Sequence, residues 1–212
     1  MSPLDSFDHP LTGRYASPEM QRLFSTGHRY TTWRRMWLAL AESERDLGLE
    51  IPAEAIEQMR ANLEVTEDDL ERVAAYEKRT RHDVMAHLEA FADHAPAARP
   101  VLHLGATSAF VGDNAELVIT RDALDLVITR VLAAIDAMAR FAEHWADEPT
   151  LGMTHFQPAQ PTTVGKRATL WLHELLLDLE RLRFERGRLK LRGAKGTTGT
   201  QATFLDLFGG DH

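Results

Sequence analysis

The chain of 212 residues contains no cysteine. This absence excludes disulfides, thiolate nucleophiles and cysteine-ligated zinc or iron–sulfur sites, and it is typical of a reducing compartment, so we expect a cytoplasmic protein. No apolar run reaches the roughly 18 residues that a membrane-spanning helix needs. Residues 1–10 carry two acids and no apolar stretch, so we expect neither a membrane span nor a signal peptide.

Basic residues are the minority charge, with 24 lysines and arginines against 32 aspartates and glutamates and a formal net charge of −8. A general nucleic-acid binder is disfavoured because neutralising phosphates needs a basic field. Most of the basic residues are arginines, and the guanidinium group is the better fork for carboxylate and phosphate. A small anionic substrate is compatible with this bias, although genomic base composition explains it equally well.

Local start and stop signals predict helices along the whole chain, and therefore an all-α fold. Ser17 followed by Pro18 is typical of a helix N-terminus. A longer helix is expected over about residues 28–47, stopped by Gly48, and a short one after Pro52. These helices belong to an N-terminal helical domain.

The next helix carries a first histidine motif. Thr66 and Asp69 resemble a capping box, and the helix that they open is expected to run towards residue 94. In it, Asp83 and His87 lie one turn apart, so they can pair or share a ligand. A solvated helix face with a salt link is the plainer interpretation, and a metal pair lacks a third ligand at sensible spacing.

Residues 97–114 form the expected domain boundary. This stretch contains Pro100, Gly105 and Gly112 and shows no helical periodicity, which predicts a loop-rich connection. We therefore divide the chain into an N-terminal helical domain over residues 1–106 and the first part of a long-helix bundle over residues 107–212.

Two very long helices are predicted for the second domain. Residues 115–148 contain neither glycine nor proline and carry a heptad seam, and residues 162–192 resume the pattern after the proline-rich segment 149–161. The short connection predicts that the two helices are antiparallel neighbours. Trp171 and the leucines at 175–177 make the second helix apolar on more than one side, so we expect further subunits to cover it.

A second motif, Thr107-Ser108 followed by Asp113-Asn114, precedes the first long helix. Hydroxyl groups beside free backbone N–H groups can hold an anion at a helix N-terminus. The alternative is that Ser108 or Asp113 merely caps the helix. The residue pattern leaves both interpretations open.

A third motif places His155 in the short loop between the long helices, with Gln157 and Gln160 beside it. A histidine on a rigid loop is a candidate for acid–base catalysis, because its ordinary pKa is close to neutral. A hydrogen-bonded structural histidine is the equally weighted alternative. The glycine-rich stretch 193–199 looks faintly like a phosphate loop but lacks the required Gly-Lys-Ser/Thr order and a preceding strand.

Taken together, five separated strings resemble the fumarase/aspartase superfamily, and within it the adenylosuccinate lyases. Two of these strings correspond to two of the superfamily's three signature regions, and the resemblance covers the chain from about residue 8. The strings are Arg14-Tyr15-Ala16-Ser17, Arg81-His82-Asp83-Val84-Met85-Ala86-His87, His103-Leu104-Gly105-Ala106-Thr107-Ser108 with Asp113-Asn114, Thr154-His155-Phe156-Gln157-Pro158-Ala159-Gln160, and Lys195-Gly196-Thr197-Thr198-Gly199-Thr200-Gln201-Ala202.

The resemblance implies a β-elimination that releases fumarate from adenylosuccinate and from the succinylated imidazole-carboxamide ribotide of purine biosynthesis. His155 would be the acid that protonates the departing nitrogen, with Thr154 beside it among the substrate-binding residues. Thr107 and Ser108 would bind the succinyl part, and the nucleotide part would be held by Arg14, Tyr15, Arg81, His82 and Asp83. The resemblance implies no metal or organic cofactor. It implies a homotetramer whose sites are each built from three subunits. From the charge balance and the lack of a long apolar run, we expect neither a nucleic acid nor a membrane as a partner.

The resemblance also implies that something is missing. The superfamily's third signature region, a flexible loop whose serine is the base, would lie beyond residue 212, so we expect little activity from this chain alone. A non-catalytic helical module that assembles with other chains is the alternative. A lyase acting on argininosuccinate or aspartate is a further alternative, which the string from Arg81 to His87 disfavours.

Overall fold

The computed structural model describes residues 9–211. That part of the chain is helical apart from one small antiparallel sheet, so the predicted all-α class is confirmed. None of its helices combines the length and the apolar character needed to cross a membrane. The main elements are α1 (Pro18–Leu23), α2 (Thr26–Asp46), α3 (Ala53–Ala61), α4 (Glu67–Thr80), α5 (Asp83–His94), α6 (Ala109–His144), β1 (Pro149–Thr154), β2 (Gln157–Thr163), α7 (Val164–Arg188) and α8 (Ala202–Leu207), with a π-helical turn over Leu11–Tyr15 and a 3-10 turn over Pro96–Ala98.

The helix starts follow the predicted signals. The Ser17 hydroxyl accepts a hydrogen bond from the Met20 amide and caps α1. At the start of α4, Thr66 and Asp69 form a reciprocal capping box, each side chain accepting from the other residue's backbone N–H. These contacts satisfy amides that the first turn of a helix leaves without an intrahelical partner.

Two helix boundaries differ from the prediction. The expected helix from residue 66 to 94 is broken into α4 and α5 at Arg81, whose backbone is left-handed with φ 51°. In the other direction, α6 begins at Ala109 and includes Gly112, which had suggested a loop. Val111 and Ala115, on its first turns, are fully buried in the core, and this burial outweighs the cost of about 1 kcal/mol that a helical glycine carries.

The proline-rich segment was expected to be a loop and is instead a two-stranded hairpin, β1–β2. Both of its strands are edges, so a proline there can sit where no ladder hydrogen bond is required. The short helix α8 near the end of the chain was also not predicted.

The chain forms two compact units: the first unit contains residues 9–119 and 190–211, and the second unit contains residues 120–189. The domain boundary between residues 106 and 107, proposed from the sequence, is not the boundary between these two units and stays a prediction. The core of the first unit is built around Trp37, Met59 and Phe91, each 1% exposed or less. Trp37 stacks on Phe91 with 6.1 Å between ring centroids.

In the second unit, α7 runs antiparallel to the last part of α6, as predicted. The Gly165 amide, at the start of α7, donates to the Trp145 carbonyl just after the end of α6. Near the other end of α7, Arg186 makes a bidentate pair with Asp125, with distances of 2.8 and 2.9 Å. A Cβ at position 165 would clash with the Ala142 carbonyl and the Ala146 backbone, so the two helices meet where only glycine fits.

Candidate active site

Three of the predicted site residues lie at the break between α4 and α5, which sets their backbone conformations. Arg81 is the left-handed C-cap of α4, and its amide donates to the Glu77 carbonyl. His82 is extended and is the N-cap residue of α5, and Asp83 is the first residue of that helix. A positive φ at a non-glycine residue such as Arg81 costs of order 1 kcal/mol of conformational free energy, which contacts in the surrounding structure must offset. A continuous helix would have spread these three side chains around its surface.

His82 joins the first two motifs that the sequence singled out. Its Nε2 lies 3.0 Å from the Ser108 hydroxyl, and its Nδ1 lies 3.3 Å from Asp83 Oδ1. The same carboxylate oxygen accepts the Val84 amide at 2.8 Å. The side chains of His82 and Asp83 are 43% and 61% exposed. The structure therefore gathers a carboxylate, an imidazole and a hydroxyl at an accessible surface.

The turn that carries Thr107 and Ser108 is supported by the end of the chain. Gly105 has φ 61°, and a Cβ there would come within 2.8 Å of Phe204 and Leu207 on α8. The Thr203 hydroxyl donates to the Gly105 carbonyl at 2.6 Å. Sequence analysis missed this support, because no pattern relates residue 105 to residues almost a hundred positions later.

Of two other histidines near this cluster, His87 is buried in the core and His103 is partly buried beside it. His87 is 5% exposed, and its ring lies 3.7 Å from the Tyr30 ring, centroid to centroid, so the interpretation of a solvated helix face is wrong. Burial, with a smaller contribution from the Arg34 charge, lowers the pKa of His87 to about 4. Burial also lowers the pKa of His103 to about 4, and its Nδ1 accepts a hydrogen bond from Trp37 Nε1. Both rings are therefore neutral at pH 7 and serve packing.

Arg14 and Tyr15 lie apart from this cluster in the π-helical turn, and both are exposed. Tyr15, 74% exposed, lines an open apolar cavity of about 790 Å³ together with Leu11, Met20 and Phe24. Among residues 9–211, no hydrogen bond or ion pair links Arg14 or Tyr15 to His82 or Ser108. The first unit thus presents two separate groups of predicted substrate-binding residues.

His155 occupies the tip of the hairpin in the second unit. Thr154 pairs with Gln157, so His155 and Phe156 are the two central residues of the turn, with φ of 49° and 58°. This is the geometry of a type I′ turn, which normally takes asparagine or glycine. An aromatic residue in this conformation is a backbone outlier of the kind found at functional sites. Both side chains are exposed, Phe156 completely.

The described residues contain no group of three or more histidine, aspartate or glutamate side chains placed to hold a metal ion. The predicted site residues supply hydroxyl, amide and guanidinium donors together with imidazole and carboxylate groups. Such a set can bind an anionic substrate and move a proton.

A protein-family model described as "Lyase" matches residues 16–205. The chain is 52% identical over 213 aligned positions to an adenylosuccinate lyase of Saccharomyces cerevisiae and 53% identical to one of Schizosaccharomyces pombe. Each alignment covers all of this chain and 44% of the yeast protein, so the chain spans less than half the length of these relatives. A solved structure of a fumarate lyase from Mesorhizobium sp. BNC1 matches 93% of this chain and 48% of its own, with a TM-score of 0.77 and 30% identity.

Proposed function

Because the chain belongs to the lyase family whose model matches residues 16–205, we propose that it takes part in an adenylosuccinate lyase reaction, which eliminates fumarate from adenylosuccinate and from the succinylated imidazole-carboxamide ribotide. The main structural support is the contact of His82 with Ser108 and Asp83. This contact brings two of the sequence motifs shared with the superfamily into one exposed cluster. The alignment of the whole of this chain with 44% of each yeast adenylosuccinate lyase supports the substrate.

In this proposal a base removes a proton from the carbon next to a carboxylate of the succinyl group. The electron pair is held as an aci-carboxylate, the C–N bond breaks, and an acid protonates the departing nitrogen. His155 is that acid, and Thr154 binds substrate beside it. An imidazole suits this step because its ordinary pKa lies near neutrality, and the hairpin turn presents His155 at an exposed tip. We assign the base to no residue of this chain.

The remaining residues bind the substrate. Thr107 and Ser108 hold the succinyl group through hydroxyl and amide donors that strengthen as the dianion develops. Arg81, His82 and Asp83 hold the nucleotide portion together with Arg14 and Tyr15. The exposure of the His82 cluster supports access for a ligand of this size.

Self-association is part of the proposal. Leu170, Leu177 and Phe184 recur every seven residues along α7 and are 54%, 51% and 59% exposed, with Trp171 beside them at 55%. An apolar stripe at this spacing is typical of a helix that packs against another helix. We propose that copies of the protein cover this stripe and form a homotetramer in the cytoplasm.

The function is tested with a chimera in which residues 1–212 replace the aligned segment of the Saccharomyces cerevisiae relative. We expect the chimera to release fumarate from adenylosuccinate, followed by ultraviolet absorbance. His155→Gln should lower kcat by about 10² to 10⁴, the usual contribution of one acid–base group. His144→Gln, an exposed histidine elsewhere in the second unit, is the matched control and should stay within about twofold of the parent.

A chimera that folds, assembles and still releases no fumarate would contradict the lyase and favour the non-catalytic helical module. Turnover of argininosuccinate or aspartate in preference to adenylosuccinate would move the protein to another branch of the superfamily. Light scattering of the chimera at tens of micromolar tests the assembly, and we expect the mass of a tetramer. The mass of a monomer would exclude the homotetramer.

A further inference from the structure

The first unit contains a small cavity beside Thr107 that the proposed roles do not use. Its volume is about 140 Å³, and its lining includes Thr107, Asp113, Arg192, Lys195 and Gly196. The cavity therefore brings together two strings that the sequence analysis singled out, one of which, the string from Lys195 to Ala202, has no assigned role.

The charges around this cavity favour an anion. Arg192 forms an ion pair with Asp113 at 3.0 Å, so these two charges compensate each other. Within residues 9–211, the Lys195 ammonium has neither a hydrogen bond nor an ion pair. One positive charge is left over in the cavity that Thr107 also lines, and an ammonium that keeps three free donors can bind a carboxylate.

The loop that carries Lys195 is held in place by neighbours in the same unit. Asn114, which is 1% exposed, accepts the Gly193 amide at 3.1 Å and donates to the Gly193 carbonyl at 3.2 Å. Gln201 donates its backbone N–H to the Lys195 carbonyl at 2.9 Å and its side-chain amide to the Ala194 carbonyl at 3.1 Å. The backbone that carries Lys195 is thus held by hydrogen bonds at the cavity that Thr107 also lines.

The cavity is small. Its volume of about 140 Å³ gives room for a group of a few heavy atoms. A single carboxylate is such a group, and it also meets the charge requirement.

We propose that Lys195 and Thr107 together form the subsite for one carboxylate of the succinyl group, with Lys195 as a substrate-binding residue. The proposal rests on the proposed function, because Thr107 is taken there as a ligand of the succinyl part. It adds a charged partner to donors that are otherwise neutral, and it gives the string from Lys195 onward a role in recognising a dicarboxylate.

The test measures binding of succinate, as a probe, to the 212-residue chain by calorimetry and by amide NMR shifts. We expect a Kd in the millimolar range, with shifts at Gly193, Gly196 and Thr107. Lys195→Gln should raise the Kd about tenfold, the usual effect of a charge-assisted hydrogen bond, and Lys195→Arg should restore part of the affinity. Lys190→Gln, an exposed lysine outside the cavity, is the matched control and should leave the Kd within about twofold.

Three results would overturn the proposal: no binding of succinate, equal affinity in Lys195→Gln, or binding of inorganic phosphate in preference to succinate. Melting temperatures of the variants show that each is folded. In the chimera, Lys195→Gln should raise KM for adenylosuccinate more than it lowers kcat. Because succinate binding needs no turnover, a chimera that binds succinate through Lys195 and releases no fumarate would contradict the proposed function alone.

Discussion

The two units of the chain bury very different kinds of residue. The first unit encloses large side chains such as Trp37, Met59 and Phe91, and it also buries charged groups, including the Arg34–Asp69 pair at 4% and 2% exposure. Among the described residues of the second unit, the buried apolar side chains are three alanines and Leu179. Its phenylalanine and tryptophan side chains, Trp171 and Phe156 among them, are all exposed.

The first unit therefore buries large apolar and charged side chains within itself, whereas the second unit leaves aromatic side chains exposed to solvent or to a partner. The first unit holds its substrate-binding candidates on a core with many buried contacts. In the second unit, α6 and α7 are in close contact at Gly165, and the apolar stripe of α7 and the His155 turn are exposed. Substitutions of buried residues should therefore lower the stability of the first unit. In the second unit, only substitutions at a few close helix contacts should have a large effect.

The largest effect is expected at the buried ion pair of the first unit. Arg34 donates to Asp69 at 2.6 Å and to the carbonyls of Asn62 and Glu64. Burial by itself would raise the pKa of Asp69, but hydrogen bonds from Arg34 and Thr66 outweigh it and lower that pKa. Arg34→Met removes the arginine partner of this buried carboxylate, leaving it only Thr66 and His94 among the described residues, and should reduce the free energy of unfolding by about 3–5 kcal/mol, measured by urea titration.

The control for this change is Arg35→Met. Arg35 is next in sequence but half exposed, and it pairs with Glu64, which is 78% exposed. An exposed pair contributes at most about 1 kcal/mol. Equal losses from Arg34→Met and Arg35→Met would show that the first unit does not depend on its buried pair.

The second expected effect is pH-dependent and concerns Glu44. This side chain is 2% exposed, and within residues 9–211 neither carboxylate oxygen has a hydrogen-bond partner. Burial raises the pKa of Glu44 from 4.5 to about 7. Because the folded pKa is the higher one, stability is fully retained below about pH 4.5 and is lost as the pH rises through about 7.

Glu44→Gln removes this ionisation. We expect the free energy of unfolding of the variant, relative to wild type, to rise by roughly 2–3 kcal/mol between pH 4.5 and pH 8. The matched variant Glu50→Gln changes an exposed glutamate and should show no such trend. A constant difference between Glu44→Gln and wild type across this range would mean that Glu44 is solvated.

A third prediction compares two glycines of the same helix in the second unit. A Cβ at Gly165 meets the Ala142 carbonyl, whereas at Gly187 nothing lies within 4 Å. Gly165→Ala should destabilise by about 1–3 kcal/mol, as overpacking does. Gly187→Ala should stabilise by about 0.5–1 kcal/mol, because alanine is the better helix former. Thermal unfolding of both variants checks the opposite signs, and the same sign in both would contradict the close contact.

The smallest effect is expected at the hairpin turn. Phe156 has φ 58° and a completely exposed side chain, so its conformation has a cost without compensating burial. Phe156→Gly should stabilise the protein by about 1 kcal/mol. Thermal unfolding provides the measurement, and Thr154→Gly, at a strand position, should destabilise. A loss of stability in Phe156→Gly would show that the ring is held by contacts in the assembled protein.

Much of this protein was determined by its sequence. Capping signals such as Ser17 and the Thr66–Asp69 pair are local, so they fixed the helix starts without help from the rest of the chain. The apolar seams predicted two long antiparallel helices. The five strings identified the family and the candidate site residues, because the chemistry of a site constrains residue types at fixed spacing.

The tertiary structure decided what local signals could not. Only packing shows that α6 starts at Ala109, because the burial of Val111 and Ala115 compensates for a glycine inside the helix. Only long-range contacts bring His82 to Ser108, bury His87 against Tyr30 and place Lys195 at the same cavity as Thr107. Local preferences are worth about 1 kcal/mol a residue, and burial between distant segments yields more than that for each large side chain, so where the two disagree the distant contacts decide.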